Sequence, residues 1–101
     1  MNDDREILMA RMADNMPVLR KKLKLSQEGL AQMLGTTRFT IVLIETKKRN
    51  MTWNTFLSLA FIFDNNKDTS LLLRTLGIFD STLENIIKVE NDLKVQYADY
   101  E

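Results

Sequence analysis

Basic side chains dominate the middle of this chain and indicate what it could bind. Residues 15–63 hold eight lysines and arginines against two glutamates, a net charge of +6. Residues 1–14 contain two basic and four acidic side chains, a net charge of −2. Residues 64–101 contain four basic and eight acidic side chains, a net charge of −4. A cationic block between acidic flanks predicts that the middle meets a polyanion, since lysine and arginine neutralise phosphates. A lysine-rich solvated surface is the alternative interpretation.

Catalytic and metal-binding chemistry has little support in the composition. The 101 residues include no cysteine and no histidine. Disulfides, thiolate nucleophiles, histidine-based triads and the usual zinc ligands are therefore excluded. The sequence also lacks a glycine-rich phosphate loop and metal-ligand spacing. We expect no enzyme activity, no cofactor and no bound metal.

Length and composition predict one small globular unit. The chain is 45% apolar, which suffices for a modest core. Its longest apolar run, residues 56–63, contains a serine and is far shorter than the roughly 20 apolar residues that cross a membrane. No signal peptide opens the chain, and we expect a cytoplasmic protein that does not enter the membrane.

Helical patterns run through the sequence, without strand-like alternation. They predict an all-α, compact fold of five to six helices. The first helix should cover residues 3–14. Pro17 should interrupt it, because proline lacks an N–H and crowds the preceding turn. Asn15 could then cap a restarted helix over about residues 16–24.

A short helix, a glycine turn and a second helix are predicted near the middle of the chain. Ser26 is a good N-cap for a helix over residues 27–34. Gly35 can adopt the left-handed conformation that ends this helix. Thr37 can cap the second helix, residues 38–46. This order describes a helix-turn-helix, whose second helix usually enters the DNA major groove.

Two further helices are predicted directly after this segment. Thr52 can cap a helix that runs over residues 53–63. Asp68 or Thr69 should begin a short helix, and Gly77 should end it, because glycine adopts left-handed backbone conformations at little cost.

The last predicted helix could form a contact surface. Residues 81–84 match a capping box, and the helix could extend to Tyr97 or beyond. Alternating three- and four-residue steps, with Glu90 allowed as an interruption, connect Leu83, Ile86, Leu93, Tyr97 and Tyr100. Such a seam packs against a partner or back onto its own domain, and both alternatives are open.

Motif residues spread along residues 15–63 match a known pattern. They are Leu19-Arg20, Ser26-Gln27-Glu28, Leu30-Ala31, Leu34-Gly35, Thr40-Ile41, Ile44-Glu45, Lys48-Arg49-Asn50 and Leu57 to Ala60. The pattern resembles the phage-repressor type of helix-turn-helix, also called the XRE or Cro/repressor family. The resemblance implies a lambda-repressor-like helix-turn-helix core over residues 15–66, with helical extensions at residues 1–14 and 67–101.

The resemblance further implies a sequence-specific regulator of transcription, typically a repressor, that binds double-stranded DNA as a homodimer. The residues that match base-reading positions are Thr37, Arg38, Phe39, Val42 and Leu43. Arg38 is the strongest candidate, because a guanidinium can bind O6 and N7 of guanine together. Phe39, Val42 and Leu43 are apolar where the family usually has polar side chains. They could contact thymine methyl groups or form a protein-binding surface.

Phosphate contacts are also implied by the resemblance. The matching residues are Arg20, Ser26, Gln27, Lys47, Lys48 and Arg49. A helix N-terminus suits an anion on physical grounds, which supports this role for Gln27. Arg20 and Glu45 match a family pair that forms a semi-buried salt bridge. Lys47 stands where a glycine is common, which predicts a strained or differently shaped turn.

The flanks are expected to control assembly. Phe61 lies where the family commonly has a polar surface residue, so something should cover it. Together with Leu83, Ile86, Leu93 and Tyr97, it forms the predicted dimer or partner surface. Dimerisation would place two recognition helices about one DNA turn apart, as a palindromic site requires.

Protein binding is the main alternative function. The apolar side chains on the predicted recognition helix could dock a protein partner, with little sequence-specific DNA binding. An antitoxin of a two-gene module is a related possibility, since some small proteins of this family bind a toxin and repress their own operon. An enzyme is a distant third, because catalysis would have to rely on carboxylates, lysine or a metal.

Overall fold

Six α-helices make up the regular structure of residues 2–89, the part of the chain that the computed structural model describes. They are α1 (Asn2–Lys22), α2 (Gln27–Leu34), α3 (Arg38–Glu45), α4 (Trp53–Asp64), α5 (Lys67–Thr75) and α6 (Ser81–Ile87). No strand occurs within this part, which confirms the prediction of an all-α chain with five to six helices. None of these helices is long and apolar enough to cross a membrane.

Helix α1 runs through Pro17 without a break, so the predicted interruption is wrong. Leu8, Met12, Met16 and Leu19 follow one another at helical spacing on both sides of the proline, and all four are fully buried. A fully buried side chain of this size contributes about 1.5–3 kcal/mol. Together the four outweigh the roughly 3 kcal/mol by which proline disfavours a helix interior. Tertiary packing therefore overrides the local signal.

The ends predicted for a restarted helix also differ from those observed. Asn15 does not cap a helix, because its side-chain amide donates to the carbonyl of Arg11, one turn earlier, at 2.8 Å. Helix α1 ends at Lys22 rather than Lys24. Lys24 instead adopts a left-handed conformation, with φ of +55°, and this turns the chain toward α2.

Side-chain caps begin α2, α3 and α4 at the predicted residues. The hydroxyl groups of Ser26, Thr37 and Thr52 each accept a hydrogen bond from the backbone N–H three residues later. Each such cap contributes about 1 kcal/mol relative to alanine. Because capping involves residues that are close in sequence, these helix starts could be predicted without knowledge of the fold.

The beginnings of the last two helices lie close to the predicted positions. Helix α5 starts at Lys67, and Gly77 follows its end with φ of +71°. Helix α6 is capped by Asp80 rather than by Ser81. The Asp80 carboxylate accepts from the N–H groups of Thr82 and Leu83, so the cap precedes the predicted one by one residue.

Helix α6 is much shorter than predicted. It ends at Ile87, and Lys88 has an extended backbone with ψ of 132°. Ile87 and Val89 are 51% and 44% exposed, so neither side chain is buried in the core. A continuous helix from Ser81 to Tyr97 is therefore wrong. Residues 90–101 lie outside the described part of the chain.

A single hydrophobic core joins the middle of the chain to both flanks. It combines residues from all three segments that the sequence predicted, so the flanks and the helix-turn-helix segment form one packed unit. The fully buried members include Leu8, Met12, Leu30, Ile41, Phe56, Phe63, Leu73 and Ile78.

Replacing Pro17 by alanine should stabilise the protein, because the change restores an N–H donor inside α1. We expect the free energy of unfolding in urea to rise by about 1–3 kcal/mol. Val18→Ala, at an exposed neighbouring position, controls for helix propensity and should change stability by about 0.5 kcal/mol or less. If Pro17 instead began a separate helix, where proline is well tolerated, its replacement would not stabilise the fold.

An ion pair links the end of α4 to α5. The Asp64 carboxylate accepts from Arg74 Nη1 at 2.6 Å and from Ser70 Oγ at 2.9 Å. The hydrogen bond from Arg74 lowers the pKa of Asp64 below its ordinary value of 3.8, and partial burial opposes this effect only in part. The ionised form of Asp64 is therefore favoured in the folded protein over the unfolded chain.

The lowered pKa of Asp64 should make part of the stability sensitive to acid. The pair stabilises the fold fully above about pH 4, the unfolded-state value, and this contribution is lost as pH falls through the lower folded-state pKa. In thermal melts between about pH 7 and pH 2, Asp64→Asn should lose less stability than the parent chain. Glu84→Gln, at an exposed position, serves as the control. If Asp64→Asn and the parent chain lost the same stability on acidification, the ion pair with Asp64 would not be the source of this acid sensitivity.

Candidate nucleic-acid interface

The turn between α2 and α3 depends on glycine. Gly35 lies in the left-handed region, with φ of +74°, where a side chain would be strained. The N–H groups of Gly35 and Thr36 donate to the carbonyls of Gln32 and Ala31. This pair of bonds is the Schellman arrangement, which ends a helix and redirects the chain sharply. The turn thus brings α3 across α2 after only three residues.

A second glycine permits a close approach that sequence analysis did not explain. At Gly29, inside α2, a Cβ atom would lie 2.9 Å from Leu25 Cδ1 and 3.2 Å from Ser26 Oγ. The N–H of Gly29 donates to that Ser26 oxygen at 2.9 Å. A side chain at this position would therefore require Leu25 and Ser26 to shift, whereas glycine leaves both side chains where they are, at a helix-propensity cost of about 0.5–1 kcal/mol.

Three side chains, Arg20, Gln27 and Glu45, form a clamp between α1, α2 and α3. Arg20 Nε donates to Glu45 Oε2 at 2.8 Å, and Arg20 Nη2 donates to Oε1 at 3.0 Å. Gln27 Nε2 donates to the same Oε1 at 3.1 Å. The side chains of Arg20 and Glu45 are only 11% and 6% exposed. The predicted ion pair is thus present as a bidentate, largely buried contact, and the part played by Gln27 was not predicted.

The clamp occupies much of the hydrogen-bonding capacity that the predicted phosphate contacts would need. Arg20 uses a third N–H group on the carbonyl of Leu25, at 3.1 Å, which leaves two of the five N–H groups of a guanidinium. Gln27 donates its amide to Glu45. The main role of Arg20 and Gln27 is therefore to position α3. A phosphate contact would use only the N–H groups that remain free.

The outer face of α3 and its N-cap together carry all five residues predicted to read bases. Thr37 and Arg38 are exposed at its start, and Phe39 is 66% exposed. Val42 and Leu43 are half-buried farther along the helix. The inner face of α3 fills the core, so these five side chains are the part of α3 that a partner molecule could contact. An exposed ring of this size usually marks an interaction surface.

The loop after α3 holds three cations in different environments. Lys47 adopts φ of +65°, so the predicted strained turn is present, and its ammonium group pairs with Asp14 on α1. Arg49 Nη1 donates to Thr40 Oγ1 at 3.4 Å, which holds the loop beside α3. Lys48 is exposed. Lys48 and Arg49 therefore remain available to a phosphate backbone, whereas Lys47 is already paired.

The predicted partner surface is divided between core and solvent. Phe61 is 70% exposed, but Leu83 is 1% exposed within the core, so its assignment to a partner surface is wrong. Ile86 also packs against the core, because α6 turns its apolar face toward α1. Leu93 and Tyr97 lie outside the described residues. Of this set, Phe61 alone is shown to be accessible.

No protein family, curated protein or solved structure matches this chain. The candidate site therefore rests on the geometry of the chain itself. Among the residues that the structure describes, no group of three or more acidic side chains is placed to hold a metal ion.

Removing Glu45 should destabilise the fold strongly, because Arg20 would keep a largely buried charge without a counter-charge. We expect Glu45→Ala to lower the free energy of unfolding by about 3–5 kcal/mol. Lys47→Ala is the matched control, since it breaks an ion pair whose two side chains are each more than half exposed. The control should cost less than about 1 kcal/mol. Similar costs for both variants in urea titrations would show that the clamp does not hold α3.

Proposed function

We propose that this chain is a sequence-specific DNA-binding regulator of transcription, which reads the major groove with α3. The clamp is the observation that carries the proposal. It holds α3 against α1 and α2 through a largely buried ion pair, while the outer face of α3 stays in solvent. A rigidly held helix with an accessible outer face is what base reading requires, because base contacts tolerate little positional error.

The charge distribution around α3 supports a polyanionic ligand. Arg38, Lys48 and Arg49 are exposed at and beside this helix. Two nearby acidic residues, Glu45 and Asp14, are each paired with a cation, so these two offer little repulsion to an approaching phosphate. Neutralised phosphates release counterions, and this release would drive affinity.

Different residues would supply specificity and affinity. Arg38 would read guanine through its two-pronged guanidinium, and Phe39 would contact a thymine methyl group. Lys48 and Arg49 would bind phosphates, which fixes the position of α3 without reading sequence. A homodimer would place two such helices on a two-fold symmetric site, and Phe61 is an exposed apolar residue that could contribute to its interface.

Selection from random duplex DNA tests the proposal directly. We expect an enriched, two-fold symmetric site that the full chain binds about a thousand-fold more tightly than a scrambled duplex at roughly 0.15 M salt. Sedimentation of the complex should then give two chains per site. Failure to enrich any sequence, with only weak and salt-sensitive binding, would reject sequence-specific regulation.

Two substitutions should separate base reading from phosphate binding. Arg38→Ala should lose about 1–3 kcal/mol of discrimination at one base pair of the selected site. Lys48→Ala should weaken binding to all sequences alike and reduce the slope of log affinity against log salt by about one. Affinities for single-base variants of the site at several salt concentrations distinguish the two. If both variants behave alike, this division of roles is wrong.

Docking of a protein partner is the second candidate, and the exposure of Phe39 favours it. A ring that is 66% exposed on a helix suits an apolar pocket on a partner as well as a thymine methyl group. Such a partner could be a toxin, as in an antitoxin module. Under this function, Phe39→Ala and Leu43→Ala would abolish capture of the partner. A module that only docks a protein would show no enriched site in the selection from random DNA, whereas an antitoxin that also represses its operon would show one.

A further inference from the structure

Most cations of the central basic block form no ion pair within residues 2–89. Two are paired, Arg20 with Glu45 and Lys47 with Asp14. The remaining six are exposed and have no carboxylate within 4.0 Å among the described residues. They are Lys21, Lys22, Lys24, Arg38, Lys48 and Arg49. The folded part of the chain thus leaves a concentrated positive charge without compensation.

Three of these cations belong to α3 or to the loop that follows it, as does one exposed aromatic ring. Arg38 and Phe39 begin α3, and the bond from Arg49 to Thr40 holds the following loop beside the same helix. Lys48 precedes Arg49 in that loop and is exposed. We call Arg38, Phe39, Lys48 and Arg49 the basic face. It combines positive charge with an apolar group, so it suits an acidic segment that also carries apolar side chains.

Residues 90–101 have that composition. They hold four acidic side chains and one lysine, a net charge of −3. Between the acidic residues stand Leu93, Val95, Tyr97 and Tyr100. The charge and the apolar content of this segment are therefore complementary to the basic face.

The helix contacts and the length of the segment allow residues 90–101 to meet the basic face. Helix α6, after which the segment follows, packs against α1, and α1 packs against α3. Twelve residues can span up to roughly 40 Å. The molecule measures 46 × 27 × 25 Å along its principal axes. The reach of the segment therefore exceeds both short axes and approaches the long one.

We propose that residues 90–101 bind the basic face of their own chain and compete there with DNA. The contact between the segment and the basic face is inferred from charge and composition. The competition with DNA rests on the proposed function. Because the segment is covalently attached, its effective concentration near the face is in the millimolar range. Even a weak contact would then lower the apparent affinity for DNA about three- to tenfold.

Two full-length variants with the same change in net charge test the contact. The tail variant carries Asp92→Asn and Asp99→Asn. The control variant carries Asp68→Asn and Glu84→Gln, at exposed positions in α5 and α6. Backbone amide spectra without DNA are then compared at low salt for residues 38–40 and 48–49, which report on the basic face.

We expect the tail variant, and not the control, to shift these amide signals relative to the parent chain. The shifts should be independent of protein concentration. They should disappear at about 0.5 M salt, because salt then screens the attraction between charges that are more than a few ångströms apart. Identical spectra for the parent and the tail variant would overturn the contact. Shifts that grow with protein concentration would also overturn it, because the segment would then bind a second copy.

Affinity for a generic 30-base-pair duplex tests the competition. At about 50 mM salt the tail variant should bind about three- to tenfold more tightly than the control variant, and the two should converge at about 0.5 M. Equal affinities at low salt, with no amide shifts, would reject the inference and leave the proposed function standing. Amide shifts in a chain that binds no DNA would reject the proposed function and leave the contact standing.

Discussion

The ion pair between Arg20 and Glu45 is the constraint on which the presentation of α3 depends. Both charges are largely removed from water, so either one alone would be costly, and the two must stay together for the fold to persist. Their two parallel hydrogen bonds also have direction, which apolar packing lacks. Gln27 extends the same network to α2. Three helices are thereby held in one relative orientation by a single carboxylate.

That orientation decides which side chains remain in solvent. The apolar face of α3 is turned into the core, and Phe39 is left 66% exposed although burial would have stabilised the chain. Glu45 and Asp14 are neutralised by Arg20 and Lys47, whereas Arg38 and Lys48 form no ion pair within residues 2–89. The fold therefore leaves uncompensated positive charge and one exposed aromatic ring on α3 and the loop that follows it, and this combination underlies both proposals.

Local signals predicted the helix starts well and long-range packing poorly. Ser26, Thr37 and Thr52 cap the helices that their positions indicated, since a cap involves only atoms within three residues. Pro17 misled the prediction, because Met16 and Leu19 on either side of it are fully buried in the core and hold the helix together there. Leu83 fitted a partner-facing seam equally well, and only the position of α1 shows that it belongs to the core.

By itself the sequence determined the helical class, the capped turn between α2 and α3, and the segregation of charge along the chain. These properties follow from spacing, backbone preference and composition, which are local or additive. The tertiary structure decided that α1 continues through Pro17, that Gln27 joins the clamp, and that Lys47 is paired with Asp14 while Lys48 is exposed. Those outcomes depend on which distant residues meet, and burial energies of several kcal/mol at such contacts exceed the preferences of a single residue.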